Sequence, residues 1–406
     1  MALLTDHAPA RAPHRTPPHI LTLVALVGVS TLSMNVFLPS LPAMADWFGT
    51  DYALIQLSVG IYLATNAVLQ LFVGPLSDRY GRRPVILWGI ALFMVATVGC
   101  LLAPTVEVFL AFRMGQAAIV TAMVLSRAVV RDLYPQDKAA SMLGYVTMGM
   151  SVVPMIGPAI GGVLEAYFGW HSNFWLLLAC GAALWAWTWH DLGETAPMAG
   201  GSLRDQVRQY PELLTSPRFW GYCAAAAFAS GSFFAYLGGA PYVGSQIYGL
   251  TAGELGIYFG APALGYMIGN GISGRYSQRF GVDRMVLVGA VGQAVGLLAL
   301  LALLLLAEID AVTFFGFMTF LGLGNGLVIP NATAGMLSVR PHLAGTASGL
   351  GGSMMIGGGA ALSAVAGIAL GTGSSAVPLV ALMAASGSVA VVAIALTARR
   401  NRRLAA

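Results

Sequence analysis

The sequence predicts an all-α integral membrane protein whose twelve transmembrane helices form two six-helix pseudo-repeats. Three observations lead there. Of 406 residues, 57% are hydrophobic and only 9% charged, with a mean hydropathy of +0.77; a soluble domain carries roughly 25% charged residues. Lys and Arg lie almost wholly in the tails and in alternate connections. A ten-residue motif between the second and third apolar runs, Gly74 to Arg83, returns in weaker form as Gly274 to Gly281, 200 residues later.

Apolar runs of about 20 residues, the length that crosses ~30 Å of hydrocarbon, fall at roughly 20–42, 53–76, 84–104, 108–130, 139–164 and 172–190. A second six fall at roughly 218–242, 252–274, 285–306, 311–332, 343–370 and 376–398 by the same criterion. Glycine, at 51 residues, suits close helix packing in lipid.

Of the 20 Lys and Arg, 18 fall in the two tails or the even-numbered connections, and none in the odd-numbered ones. Lys and Arg beside spans stay cytoplasmic, so both termini are expected inside and the span count even. The net charge of +4 is accounted for by this pattern and implies no nucleic acid. Ala43-Met44-Ala45 has the form of a signal-peptide cleavage site. The apolar run before it is longer than the ~7–15 residues of such a segment, and its removal would leave an odd number of spans. Cys100, Cys180 and Cys223 sit in or at the edge of spans; an odd number at irregular spacing reads as packed thiols.

The expected organisation is a cytoplasmic tail over 1–19, a bundle over 20–190, a polar linker over 191–217, a second bundle over 218–398 and a basic tail over 399–406. A second repeat supports the division: Ala140-Ser-Met-Leu-Gly144 is echoed by Ala347-Ser-Gly-Leu-Gly351, an offset of 207. Offsets of 200 and 207 indicate a six-span unit duplicated in parallel, the arrangement in which substrate sits between two halves at mid-membrane.

Four stretches carry a resemblance. Gly74-Pro-Leu-Ser-Asp78-Arg79-Tyr-Gly81-Arg82-Arg83 follows the pattern G-x-L-x-D-R-x-G-R-R. Arg113-Met-Gly-Gln116-Ala117 follows R-x-x-Q-G with Ala in the last place, and Gly157-Pro158-Ala-Ile-Gly161-Gly162 follows G-P-x-x-G-G. Phe37-Leu-Pro39-Ser-Leu-Pro42, with Val130-Arg131-Asp132-Leu-Tyr134 later, completes the set. Together they resemble the major facilitator superfamily, and within it the drug/proton antiporters of the Bcr/CflA drug-resistance type, over about Leu21 to Leu396. The resemblance implies a gate made by Gly74, Asp78, Arg79, Gly81, Arg82, Arg83, Arg131 and Asp132, with Asp78 at the N-terminus of span eleven and paired with Arg131. It also implies an antiporter motif at Gly157, Pro158, Gly161 and Gly162. In physical terms Gly74 and Gly81 permit close approach and a sharp turn, Asp78 suits a helix N-terminus, and Gly157-Pro158 introduces a bend.

Two charges fall well inside the spans, Arg113 and Arg127. Fourteen residues is close to four turns at 3.6 per turn, so both are expected to face one way, toward a cavity. An intramembrane charge costs ~2.5 kcal/mol or more and is functional by default; structural pairing is the other reading of Arg113, and snorkelling to the surface that of Arg127. No Asp, Glu or His lies mid-span, and Asn35 stands where many relatives carry an acid. Asn cannot titrate, so the coupling site and any preference for cationic drugs are both left open. The expected cavity is neutral and polar with a cationic tint: Asn35, Tyr62, Asn66, Gln70, Arg113, Gln116 and Arg127 from the first half, Phe234, Tyr236, Tyr266, Asn270, Asn325 and Asn331 from the second. Tyr62, Asn66 and Gln70 recur at four-residue steps and share a stripe, which serves either a ligand or interhelical hydrogen bonds. Met148, Met150, Met354 and Met355 read as core.

The expectation is a monomeric secondary transporter of the bacterial inner membrane. It exports drugs or amphipathic metabolites by alternating access, needs no cofactor and draws on the proton gradient through a span-end acid such as Asp132 or through the substrate itself. Uptake of a small neutral or anionic nutrient is the alternative. The spans hold no metal cluster, nucleophile-base pair or phosphate-binding loop, which argues against an enzyme and against ATP as the energy source.

Overall fold

The computed structural model describes residues 18–133, 153, 156–195, 211–340, 344–370 and 375–405. Helices occupy all twelve expected places. They are α1 Ile20–Phe48, α2 Tyr52–Tyr80, α3 Arg82–Leu101, α4 Val106–Val130, α5 Ile156–Phe168, α6 His171–Asp191, α7 Pro217–Ile247, α8 Gly260–Phe280, α9 Val282–Leu306, α10 Ala311–Val339, α11 Ala344–Leu370 and α12 Val377–Ala405. Among the described residues nine helices are long and apolar enough to cross a membrane. Helices α6 and α8 have 21 residues each, long enough at 1.5 Å per residue but diluted by His, Asn and Gln. The earlier part of the fifth expected span, with Ala140 to Gly144, Met148 and Met150, lies outside the described residues.

Small residues let the helix backbones meet. In the second half, a Cβ on Gly265 or Gly269 of α8 would run into the carbonyls of Thr319 or Leu323 on α10, and one on Gly322 or Gly326 into those of Pro262 or Tyr266. Lipid supplies no hydrophobic drive between helices, so such close dispersion contact takes its place. Helix α2 lies along α11 of the other half, with Gly60 3.5 Å from the Ala360 carbonyl by the same measure.

Two helices of the first half are broken. The regular part of α1 ends at Asn35, because Pro39 lacks the amide that would bond the Asn35 carbonyl; a 3-10 turn Leu38–Ser40 follows. In α4 the 3-10 turn Ala117–Ile119 interrupts the helix after Gln116. The Ser30 hydroxyl donates to the Ile119 carbonyl at 2.9 Å, tying the break of α4 to the regular part of α1. A 3-10 turn advances about 120° per residue rather than 100°, so three such residues add about 60° and leave Arg113 and Arg127 about 20° apart around the axis, close to one face; what differs between them is their surroundings. Arg113 is fully buried, while Arg127 is exposed.

The motif expected to be a loop is mostly helix. Helix α2 runs through Gly74 and Pro75 to Tyr80, with the Ser77 hydroxyl donating to the Gly74 carbonyl at 2.7 Å. The reversal is made by Gly81 alone, at φ 94°, a region where a side chain would strain the backbone. Among the described residues nothing approaches within 4 Å of the Cβ position of Gly74, so none of them makes the close contact expected there. The second half repeats the device at Gly281, φ 80°.

Candidate substrate site and gate

Arg113 lies between the breaks of α1 and α4. Its Nη1 donates to Gln116 Oε1 at 2.6 Å and its Nη2 to the Ser33 carbonyl at 2.8 Å, an acceptor freed where α1 stops being regular. Gln116 Nε2 donates in turn to Thr97 Oγ1 on α3 at 2.8 Å. The guanidinium is sandwiched between the rings of Phe37 and Tyr62, 4.2 and 4.3 Å from their centroids. Each such contact is worth about 2 kcal/mol when desolvated, and each hydrogen bond from a charged donor about 1.5–3 kcal/mol. No carboxylate pairs with Arg113 among the described residues. Its Nε and Asn35 Oδ1 are buried without a hydrogen-bond partner among the described residues, which leaves an unspent donor and an unspent acceptor for a polar guest.

Of the expected cavity residues, the structure brings Tyr62, Arg113 and Gln116 together. Asn35 is buried beside Gly157 and donates to the Thr31 carbonyl of its own helix at 2.8 Å. Gln70 donates to Asn66 at 2.7 Å and faces Gly352 of α11, so this end of the stripe lies at the boundary between halves. Arg127 on α4 interacts electrostatically with Tyr266 on α8, which is hydrogen-bonded to Asn270. Tyr236 is buried among Phe233, Phe259 and Phe315, and its hydroxyl has no partner. Phe234 packs against Gly359 of α11. Asn325 is buried with an unpartnered Oδ1, whereas Asn331 joins α10 to α8 by donating to Ser273 Oγ at 2.7 Å.

At the arginine-bearing end, Arg82 is the hub. It is 5% exposed, pairs with Asp78 at 2.5 Å and with Asp132 of α4 at 3.0 Å, and donates to Ser77 Oγ. The side chain of Arg131 lies outside the described residues. Arg79 sits over the neighbouring Tyr80 ring. Arg83 stacks on Trp189 of α6 at 4.8 Å and donates to its carbonyl at 2.9 Å. Glu194, just beyond α6, accepts from the amides of Arg82 and Arg83 at 2.8 and 3.3 Å, satisfying orphan donors at the start of α3.

At the opposite end the halves are stitched together. A Cβ on Gly161 would overlap the Val36 carbonyl at the α1 break, and one on Gly162 the carbonyl of Ala252, just ahead of α8. Gly256 meets Pro158 in the same way. Tyr52 donates to the Gly238 carbonyl at 2.7 Å and Gln56 to that of Ser363 at 2.5 Å. Behind this seam Asn173 of α6 donates to Ser40 Oγ at 2.8 Å, and Ser40 is hydrogen-bonded to Glu165 of α5. Glu165 Oε2 is buried with no partner.

Sequence reasoning missed Phe37, Ser33, Thr97, Glu165 and Glu194. Phe37 sits beside the Pro39 break and carried a visible signal. The others contact residues 19 to 125 positions away, and nothing in local spacing marks them.

Two pseudo-repeated bundles, broken helices around a buried polar centre and a seam of close contacts at one end define a multi-pass membrane transporter. The chain belongs to the Major Facilitator Superfamily, which it matches over residues 23–364. It is 31% identical to multidrug resistance protein D of Escherichia coli (strain K12) over 85% of this chain and 88% of that one. It is 30% identical to a chloramphenicol resistance protein of Pseudomonas aeruginosa over 78% and 76%. The fold is also that of a D-xylose-proton symporter, with a TM-score of 0.73 at 14% identity, covering 93% of this chain and 96% of that one. It is therefore a secondary transporter and not an enzyme.

Proposed function

We propose that this protein exports neutral or anionic amphipathic small molecules, antibiotics among them, from the cytoplasm by alternating access, as a monomer with both termini and the arginine-bearing end inside. The observation that carries the reading is the contact of Gly161 and Gly162 with the α1 break and with the chain ahead of α8. Backbone-to-backbone contact between α5 and both halves closes a leak path that an exporter working against a gradient must seal. The names of the drug-resistance relatives support the substrate class. Arg113, free of any described carboxylate, suits a guest with an acceptor or a negative charge, with Tyr62 and Gln116 beside it.

Coupling is assigned to the proton gradient, with no other cofactor. Asp132 is occupied by its ion pair with Arg82 while the gate is formed. Glu165, with one oxygen on Ser40 and the other unpartnered, is the better-placed acid. Retention of a neutral and an anionic antibiotic panel in cells expressing the chain tests export: lowered retention, abolished by Arg113→Ala, is expected, and unchanged retention across the panel overturns it. The replacement of a carboxylate by Asn35 favours a second reading, facilitated uptake. Inward accumulation of labelled substrate in right-side-out vesicles distinguishes it.

A further inference from the structure

At the arginine-bearing end of the second half, a cavity of about 420 Å³ opens between α7, α9 and α12. Arg218, Arg284 and Arg402 line it, with Phe280, Leu287 and Ala398 as apolar wall. None of the three arginines has a carboxylate partner among the described residues, and the Nε of Arg218 is buried and unpaired. The one carboxylate in the lining, Asp283, is already engaged: it accepts from Tyr222 at 2.5 Å and from Asn401 at 2.9 Å. Three arginines against one aspartate leave the lining with a net positive charge.

The first half shows what such a place takes. There the Glu194 carboxylate lies against Gly81 and accepts the first amides of α3. Gly281 is the counterpart of Gly81 at the 200-residue offset, and Asn401 that of Glu194 at 207. Among the described residues nothing lies within 4 Å of the Cβ position of Gly281 and no side chain caps α9. One half carries a carboxylate against this turn; the other has three arginines facing one aspartate.

We propose that this cavity binds the phosphate of an anionic phospholipid. Guanidinium groups pair with phosphate oxygens in bidentate fashion, and basic pockets between membrane helices on the cytoplasmic side accept lipid head groups. The apolar wall favours a lipid over a free ion: Phe280 is 44% exposed and lines the cavity together with Leu287, apolar surface that acyl chains can cover.

Native mass spectrometry of the full-length protein, released from nanodiscs of phosphatidylcholine with phosphatidylglycerol, counts the anionic lipids retained. The combined variant Arg218→Gln, Arg284→Gln, Arg402→Gln is expected to lower retention at least tenfold. The variant Arg399→Gln, Arg400→Gln, Arg403→Gln, with the same charge change outside the cavity, is expected to keep it. Asn401→Glu, which supplies an internal carboxylate and leaves all arginines in place, is expected to displace the lipid in a protein that remains monodisperse. Equal loss in both triple variants, or retention unaffected by Asn401→Glu, overturns the proposal. Displacement of the lipid by tens of millimolar inorganic phosphate would reassign the cavity to a soluble anion and overturn it equally. None of these outcomes depends on what the protein transports.

Discussion

The Val36 carbonyl sits against Gly161 so closely that no side chain fits between them. Val36 lies where α1 loses its regular hydrogen bonding, so the contact ties the bend of α1 to the antiporter motif of α5. Gly161→Ala forces the backbones apart, and overpacking of this kind costs about 1–3 kcal/mol or more. We expect a lower unfolding temperature in detergent and loss of transport. Gly157→Ala meets only Leu32 Cδ1 at 3.3 Å, a side-chain tip that can move, and is expected to be milder in both assays. Gly162→Ala pushes on Ala252 of the other half and is expected to impair transport more than stability.

Arg113 is held by shape as well as charge. Arg113→Lys keeps the charge but cannot stack between Phe37 and Tyr62 or reach Ser33 and Gln116 together. Each acceptor left without a donor costs about 1–3 kcal/mol. Transport is expected to fall at least tenfold in Arg113→Lys, nearly as far as in Arg113→Ala. Full activity in the lysine variant would show that charge alone suffices.

Removing Arg82 strands two carboxylates, one of them largely buried. Breaking a buried pair from one side costs about 3–5 kcal/mol, so Arg82→Ala should markedly lower thermal stability. Asp78 is 39% exposed, and Asp78→Asn is expected to change stability by about 1 kcal/mol or less while altering transport through the gate. A double-mutant cycle of Arg82 with Asp132 measures the coupling directly.

Glu165 is the acid to test for coupling. Ser40 of α1 and, through it, Asn173 of α6 are the polar groups around it, and it has no ion-pair partner among the described residues. Glu165→Gln should leave substrate binding intact and abolish transport driven by a pH gradient in proteoliposomes, whereas Asp132→Asn should retain a gradient response. Gradient-driven transport that persists in Glu165→Gln would assign the proton elsewhere.

Much of the fold was legible because a bilayer imposes rules that act along the chain. Span lengths follow hydrocarbon thickness and charge placement follows insertion, so the positions of all twelve helices could be read locally. The motif around Gly81 was legible for a similar reason: a glycine at φ 94° is a local requirement. The site was less so. The fourteen-residue spacing of Arg113 and Arg127 suggested one face, but it could not show that Arg113 is buried between two rings while Arg127 stays exposed and meets Tyr266 of the other half.

The sequence by itself determined that this chain is a duplicated twelve-helix membrane transporter, with one end rich in arginine and no acid mid-span. Tertiary structure decided which groups the charges meet: Phe37, Tyr62 and Ser33 around Arg113, Asp132 with Arg82, Glu194 at the start of α3, and an unfilled cavity at Gly281. Hydropathy and charge are sensed residue by residue by the membrane. Partnerships depend on helix breaks, on how near glycines let backbones come and on which carboxylate returns from a distant part of the chain, and these are settled only when the helices pack.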